Sequence, residues 1–264
     1  MKKYLVIGNP IHHSLSPKLH NHWIKQNGLK AIYEKKKLNN DDLEDLIANI
    51  KEGNINGVNV TVPFKNAIIP YLDELSSEAK KTLSANTIYL KDKKVIGHNT
   101  DVEGFENAIK KIKFNFNNKK IFILGAGGVV PSIIYASIKM GSSEIMISNR
   151  TEKNAIKIKN IFNNIRVIKW GEIPDFDVII NATSLGLNHN DKINLDFAKV
   201  GKNKLFYDVI YNPSETNFLK SGKKLGNKCE NGEMMFIYQA FLAFKLWNNI
   251  EPEINDETIN LLNQ

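Results

Sequence analysis

A chain of 264 residues with 42% apolar and 24% charged residues is large enough to bury one core or two and has the balance of a globular protein. The formal charge of +8 invites a nucleic-acid partner, but arginine occurs only at Arg150 and Arg166 and the lysines are spread along the chain, without the clustered arginine and interleaved aromatics of such a site. One cysteine, Cys229, excludes an internal disulfide. No apolar run reaches the ~20 residues of a membrane span, and the start, "MKKYLVIGNPIHHS", lacks a signal-peptide pattern, so a cytoplasmic protein without membrane or nucleic-acid partners is expected.

In chain order, "KKYLVIG" reads as a first strand. It is followed by "SLSPKLHNHW", in which Ser16 is placed to cap a helix and Pro17 suits its first turn. "AIYEKKKL" and "GVNVTV" read as further strands, separated by an amphipathic helix in "DDLEDLIANIKEG", and "NTIYLKDKKVIGHNTD" reads as a hairpin. The polar stretch "KFNFNNKK" precedes a second series of short apolar strands, "KIFIL", "EIMIS", "DVIIN" and "LFYDV", alternating with helices or loops. This alternation predicts an α/β protein of two α/β domains with mainly parallel sheets.

"KIFILGAGGVVPSIIYASIKMG" sets glycines between a strand and a helix, as a dinucleotide loop requires: the turn is tight, and the backbone must approach a pyrophosphate at the helix N-terminus. Gly125, Gly127 and Gly128 supply this, although Val130 occupies the third small position of the GxGxxG pattern. At the end of the next strand, "ISNRTEKN" carries no carboxylate for a ribose 2′-hydroxyl. It offers Asn149, Arg150, Thr151 and Lys153, which suits a 2′-phosphate and favours NADP over NAD.

Polar groups also gather at or beyond the ends of the first strands: Ser14, Ser16, Asn59, Thr61, Lys65, Asn86 and Asp101. Each has an ordinary structural reading; Asp101, for instance, could cap a helix. Together they supply hydroxyls, amides, a cation and a carboxylate, a set suited to a small, hydroxyl-rich anion. Gln239 interrupts an apolar helical stretch near the C-terminus, where a buried amide requires a partner.

Taken in order, "GNPIHHSLSPKLHN", "NGVNVTVPFK", "SANT", "GHNTDVEGF", "GAGG", "SNRT", "NATSLG", "YDVIYNP" and "NGEMMFIYQA" resemble the successive signatures of the shikimate dehydrogenase family over nearly the whole chain. The resemblance implies NADPH-dependent reduction of 3-dehydroshikimate to shikimate, on the route to chorismate and aromatic amino acids. It further implies that Ser14 and Ser16 hold the substrate carboxylate, that Asn59, Thr61, Asn86 and Gln239 contact ring hydroxyls or carboxylate, and that Tyr211 lies near the substrate. Lys65 and Asp101 would form the catalytic pair, the lysine protonating the developing alkoxide and the carboxylate aiming it.

The cofactor contacts expected from the resemblance are Gly125, Ala126, Gly127, Gly128, Val129, Asn149, Arg150, Thr151, Lys153, Thr183, Ile210 and Gly232. Residues 1–101 with 237–264 would form a substrate domain and 102–236 a Rossmann-like NADP domain, facing each other across a cleft, in a monomer or homodimer. The chain departs from the family at Phe64, where a polar residue is common, at Val130, where alanine is commoner, and at Lys153, one position before the usual second basic residue. His12, His13, His20 and His22 lack a second ligand cluster, so no metal is expected. Three rivals stay open: a quinate-using or NAD-using relative, a glutamyl-tRNA reductase-like enzyme, which would need an N-terminal cysteine that is not there, and a non-catalytic nucleotide sensor.

Overall fold

The structure is a computed structural model that describes residues 1–188 and 190–263. The chain opens with β1 (Lys2–Gly8), α1 (Ser16–Gln26), β2 (Ala31–Lys37), α2 (Leu43–Lys51), β3 (Gly57–Val60) and the short α3 (Phe64–Ala67). β4 (Glu74–Leu75), α4 (Ser77–Thr82), β5 (Thr87–Lys91), β6 (Lys94–His98) and α5 (Thr100–Lys111) follow. A second series comprises β7 (Lys120–Leu124), α6 (Val130–Lys139), β8 (Glu144–Ser148), α7 (Glu152–Lys159), β9 (Ile165–Val167), β10 (Val178–Asn181) and β11 (Leu205–Asp208). It ends with α8 (Asn217–Lys224) and β12 (Lys228–Glu230), before α9 (Glu233–Asn248) and α10 (Asp256–Asn260). Two compact units result: Met1–Gly104 with the C-terminal segment from Ile237, and Phe105–Phe236.

The first unit holds a six-stranded sheet in the order β2-β1-β3-β5-β6-β4. β1 pairs in parallel with β2 and β3, and β4 with β6, while β5 runs antiparallel to both β3 and β6, so this sheet is mixed but mainly parallel, with β5 the one reversed strand. The hairpin turn sits at Asp92 and Lys93, both in the left-handed region that a tight hairpin demands. Leu43, Leu46, Ile47 and Ile50 of α2 are buried at helical spacing among Leu5, Ile7, Val58 and Val60 of the strands.

The C-terminal segment is tied to the same sheet by polar anchors on aromatic bodies. Trp247 stacks on Tyr4 and donates its indole N–H to the Ile88 carbonyl at 3.2 Å, and the Tyr4 hydroxyl donates to Asn248 at 2.7 Å. Trp23 of α1 likewise donates to the Glu253 carbonyl at 3.0 Å. Burying such rings contributes several kcal/mol only when their N–H and O–H groups are matched, and here they are. The unit is therefore discontinuous in sequence.

The second unit carries a six-stranded, all-parallel sheet in the order β12-β11-β10-β7-β8-β9. This is the doubly wound arrangement in which the order reverses between β7 and β10 and ligands bind beyond the carboxyl ends of the strands there. β7, β8, β10 and β11 are almost wholly buried, as expected of parallel strands covered on both faces. The short strands β4, β9 and β12 have no clear sequence pattern. They form because a neighbour offers an edge.

Ser16 is the first residue of α1 and not its cap. Leu15 holds the N-cap position, and no side chain caps this helix; Pro17 does sit in the first turn. Asp101 is likewise inside the first turn of α5, where the Asn99 side chain accepts its backbone N–H at 3.1 Å. Both side chains are thereby free of capping duty.

The close fit of Trp247 gives a direct test. A Cβ added at Gly57 would lie 2.5 Å from the indole nitrogen, so Gly57→Ala forces the ring or β3 to move. Overpacking of this kind costs about 1–3 kcal/mol, and thermal unfolding should show Gly57→Ala below the parent by several degrees.

Candidate active site: a buried ion pair and a dinucleotide cradle

In the first unit, Lys65 of α3 and Asp101 of α5 meet at 2.5 Å, with side chains 11% and 7% exposed. Asp101 takes Lys65 on Oδ2 and the Asn86 side-chain amide, at 2.7 Å, on Oδ1. Its place in the first turn of a 12-residue helix adds the favourable field of the helix N-terminus. Asn86 is itself held: its Oδ1 accepts the Thr100 backbone N–H at 2.8 Å and the Thr87 hydroxyl at 3.0 Å. An ammonium has three hydrogens, and Asp101 is the one hydrogen-bond partner of the Lys65 ammonium among the described residues. Two donors on a buried cation therefore remain for a ligand.

Asn59 is buried on β3. Its Oδ1 accepts the Tyr33 hydroxyl at 2.7 Å, and its Nδ2 donates to the Asn86 carbonyl at 3.2 Å and Thr87 Oγ1 at 3.1 Å. The Ser14 Oγ accepts the Ser16 backbone N–H at 3.3 Å, which sets the two serines side by side before α1. Thr61 follows β3 and is half-buried, its N–H bonded to the Ile7 carbonyl at 2.9 Å. Gln239 is half-buried on α9, against α5 one turn beyond Asp101: a Cβ placed on Gly104 would be 2.9 Å from Gln239 Cβ.

The remaining expected residues lie in the second unit. Gly125 ends β7 at φ +108°, and a Cβ there would sit 2.7 Å from the Ala182 carbonyl oxygen, so both conformation and space demand glycine. Gly127 differs. A Cβ on it would meet nothing closer than 4.0 Å, so the protein itself does not require glycine and the space in front of the loop is open to a ligand. Ala126, Gly128 and Val129 complete the loop into α6, whose Val130 is fully buried and whose Pro131 occupies the first turn. Valine is tolerated at 130 because its side chain faces the core.

Beyond β8, Asn149 folds its amide back onto the Thr151 carbonyl at 2.8 Å, and Thr151 holds the N-cap position of α7 without capping it. Arg150, Thr151 and Lys153 are exposed, whereas the other arginine, Arg166, pairs with Glu144. Among the described residues Arg150 has no ion pair. These features fit a 2′-phosphorylated dinucleotide: an open glycine loop before a helix, then cation and hydroxyl at the second strand end.

Thr183 donates to Asn181 Oδ1 at 2.7 Å and accepts from the Leu185 N–H at 3.0 Å. The Gly232 N–H donates to the Ile210 carbonyl at 3.2 Å, and Tyr211 stacks on Phe236.

The sequence reading missed the residues that brace these loops. Asp208, fully buried at the end of β11, accepts from Asn181 at 3.0 Å, the Ile210 N–H at 3.0 Å and the Thr216 hydroxyl at 2.6 Å. A carboxylate ending the apolar run "LFYDV" was the available signal. Tyr33, which fixes Asn59, gave none beyond its place in a strand.

Among the histidines, His20 is buried against aromatic rings, with burial lowering it to about 3, and His12 and His13 face each other at 3.5 Å. No group of three or more histidine, cysteine or carboxylate side chains is arranged to hold a metal among the described residues. Burial also pushes the Cys229 thiol up to about 11, which leaves it unreactive. No helix of the described residues is long and apolar enough to cross a membrane.

Residues 6–88 match the shikimate dehydrogenase substrate binding domain, and residues 106–210 match shikimate / quinate 5-dehydrogenase. Shikimate dehydrogenase (NADP(+)) of Pelagibacter ubique is 59% identical over 261 residues, covering 99% of this chain and 98% of that one. The crystal structure of shikimate dehydrogenase from Aquifex aeolicus superposes with a TM-score of 0.91 at 35% identity, covering 100% of this chain and 98% of the other. That of Thermus thermophilus shikimate 5-dehydrogenase in complex with NADP(H) and shikimate gives a TM-score of 0.90 at 28% identity, covering 100% and 99%. Fold and site thus define a two-domain, dinucleotide-dependent α/β oxidoreductase. The chain belongs to the shikimate dehydrogenase family.

Asp208 supplies a pH test. Burial raises its carboxyl from 3.8 to about 6, outweighing the hydrogen bonds from Thr216, Ile210 and Asn181. The folded state therefore holds this proton more tightly than the unfolded chain. Its contribution to stability is full below pH 4 and lost as pH rises through 6. The stability of the parent relative to Asp208→Asn should fall by roughly 2–3 kcal/mol between pH 4 and pH 7.5 in denaturant titrations. A gap independent of pH would show that this carboxyl does not titrate there.

Proposed function

We propose that the protein catalyses NADPH-dependent, reversible reduction of 3-dehydroshikimate to shikimate, the step leading toward chorismate and the aromatic amino acids. The observation that carries this reading is the buried Lys65–Asp101 pair with two lysine donors uncommitted. Ion pairs of this kind are poor stabilisers, because desolvation offsets most of the attraction. A charged amine aimed and balanced by a carboxylate is, however, what a ketone reduction needs: it hydrogen-bonds the carbonyl oxygen, polarises it, and delivers a proton as the alkoxide develops. In the reverse direction the same amine takes the hydroxyl proton.

The bound cofactor supplies the hydride; everything else falls to side chains. Ser14 and Ser16 hold the substrate carboxylate with hydroxyl donors, while Asn59, Thr61, Asn86 and Gln239 contact its ring hydroxyls or carboxylate, and Tyr211 lies near it. The glycine loop, residues 125–129, holds the pyrophosphate against the N-terminus of α6. Asn149, Arg150, Thr151 and Lys153 would take the ribose 2′-phosphate, and Thr183, Ile210 and Gly232 would contact the cofactor elsewhere. The reaction runs in the cytoplasm on a small molecule, in a monomer or homodimer without a nucleic-acid partner. The dispersed lysines and the pairing of Arg166 with Glu144 support that last point.

Cofactor choice is tested at Arg150. A hydrogen bond to a charged group contributes about 1.5–3 kcal/mol, so Arg150→Ala should weaken NADPH roughly 10- to 150-fold and leave NADH nearly unchanged. Equal losses with both cofactors in fluorescence titrations would remove Arg150 from the 2′-phosphate.

The ion pair is tested by kinetics with shikimate and NADP. Lys65→Ala should lower kcat by ~10²–10⁴-fold, the usual worth of a positioned acid or base, with little change in NADP affinity. Asp101→Asn should also lower it, and the double variant should cost little more than the worse single change, because groups acting as a unit lose activity non-additively. Two losses that simply multiplied would show that the residues act separately.

A further inference from the structure

Tyr33 lies on β2, the edge strand of the first sheet, and is fully buried. Three residues of α1 hold it. The Asn21 side chain grips its backbone from both sides: Oδ1 accepts the Tyr33 N–H at 2.9 Å, and Nδ2 donates to the Tyr33 carbonyl at 2.8 Å. The His20 ring lies flat on the phenol, 4.2 Å between centroids at 4°, and is itself packed against Trp23, Phe244 and Trp247. Ser16, one turn earlier on the same helix, lies against the Tyr33 hydroxyl. That hydroxyl donates in turn to Asn59 Oδ1 at 2.7 Å.

The direction of these bonds matters. Asn59 Nδ2 faces the Asn86 carbonyl, which can only accept, so Oδ1 must point to a donor, and Tyr33 is that donor. A phenylalanine ring would fill the same space and keep the stack on His20. It would leave Asn59 Oδ1 without its donor. Nothing in packing alone explains the hydroxyl.

We propose that Tyr33 is a positioning residue for substrate, its hydroxyl setting the Ser16 side chain and the Asn59 amide in one fixed orientation. It touches no reacting atom. Tyr33 is joined to Asn86 through Asn59, and Asn86 holds Asp101 against Lys65, so one chain of hydrogen bonds runs from the Tyr33 hydroxyl, beside Ser16, to the ion pair. This rests on the assignment of Ser16 and Asn59 to the substrate, and the test separates the two.

Steady-state kinetics on Tyr33→Phe, Ser16→Ala, Asn59→Ala and Tyr33→Phe/Ser16→Ala would decide it. Tyr33→Phe should raise the KM for shikimate about three- to tenfold, as expected for one lost hydrogen bond, with kcat within threefold and the KM for NADP within twofold. The double variant with Ser16→Ala should raise the KM by less than the product of the single effects. A shikimate KM within twofold of the parent in Tyr33→Phe, while Ser16→Ala or Asn59→Ala raises it, overturns the positioning role and leaves the substrate assignment standing. If Ser16→Ala and Asn59→Ala also leave it unchanged, the assignment fails and the proposal with it. A Tyr33→Phe protein that does not fold, or that loses kcat and NADP affinity in parallel, makes the hydroxyl a structural element and equally refutes the role.

Discussion

A lysine and an aspartate buried together at 2.5 Å set the terms for the first unit. Each charge would be very costly to bury alone, so each part of the surrounding fold answers the question of how the pair is kept matched. α3 places the lysine shortly after the end of β3, and the lysine's own carbonyl accepts the Ala85 N–H at 2.9 Å, which anchors it beside Asn86, just before β5. α5 begins immediately after β6 and presents Asp101 in its first turn, where the helix field favours negative charge. Thr87 and Thr100 then spend polar groups on Asn86, and the Asn99 side chain accepts the Asp101 backbone N–H at the start of α5. The carboxylate is fully satisfied, and the ammonium is not.

The second unit solves a different problem with similar means. Its loops must approach a ligand closely, so several lack the packing that holds a helix or strand. Asp208 compensates from below: one carboxyl gathers Asn181, the Ile210 amide and Thr216, and thereby joins the ends of β10 and β11 to the start of α8. The elevated carboxyl pKa is the cost of placing it there. Loops that carry Thr183, Ile210 and Tyr211 are thus fastened to strands, which are rigid, through a residue that need not touch the ligand.

How far the sequence disclosed this depends on whether a feature is local. The glycine loop, "SNRT" and the main strands are local, because a turn, a strand end and an apolar run each declare themselves within a few residues. Lys65 and Asp101 could be singled out by type and place. Their meeting could not be read from spacing, since they stand 36 positions apart with three strands between them. The mixed pairing around β5 and the short strands β4, β9 and β12 depend on partners far along the chain. Ser16 shows the opposite failure. Its local signal, a serine just before a proline, is that of a cap, yet the helix starts one residue earlier than that pattern implies and no side chain caps it.

A protein interior normally spends its hydrogen bonds, because an unmatched buried donor costs about 1–3 kcal/mol. Against that background the groups left unspent carry the information. Asn59, Thr87 and Asp208 are engaged on several sides, and their role is to hold geometry. Lys65 keeps two hydrogens back, Thr151 stands at a helix start without capping it, and Arg150 lacks a carboxylate among the described residues although its one counterpart has one. These uncommitted donors are all cationic or hydroxylic, and they fall at the ends of strands in both units. In the first unit such donors suit a ketone or hydroxyl, and in the second a phosphate. A fold stabilised for its own sake would have paired them.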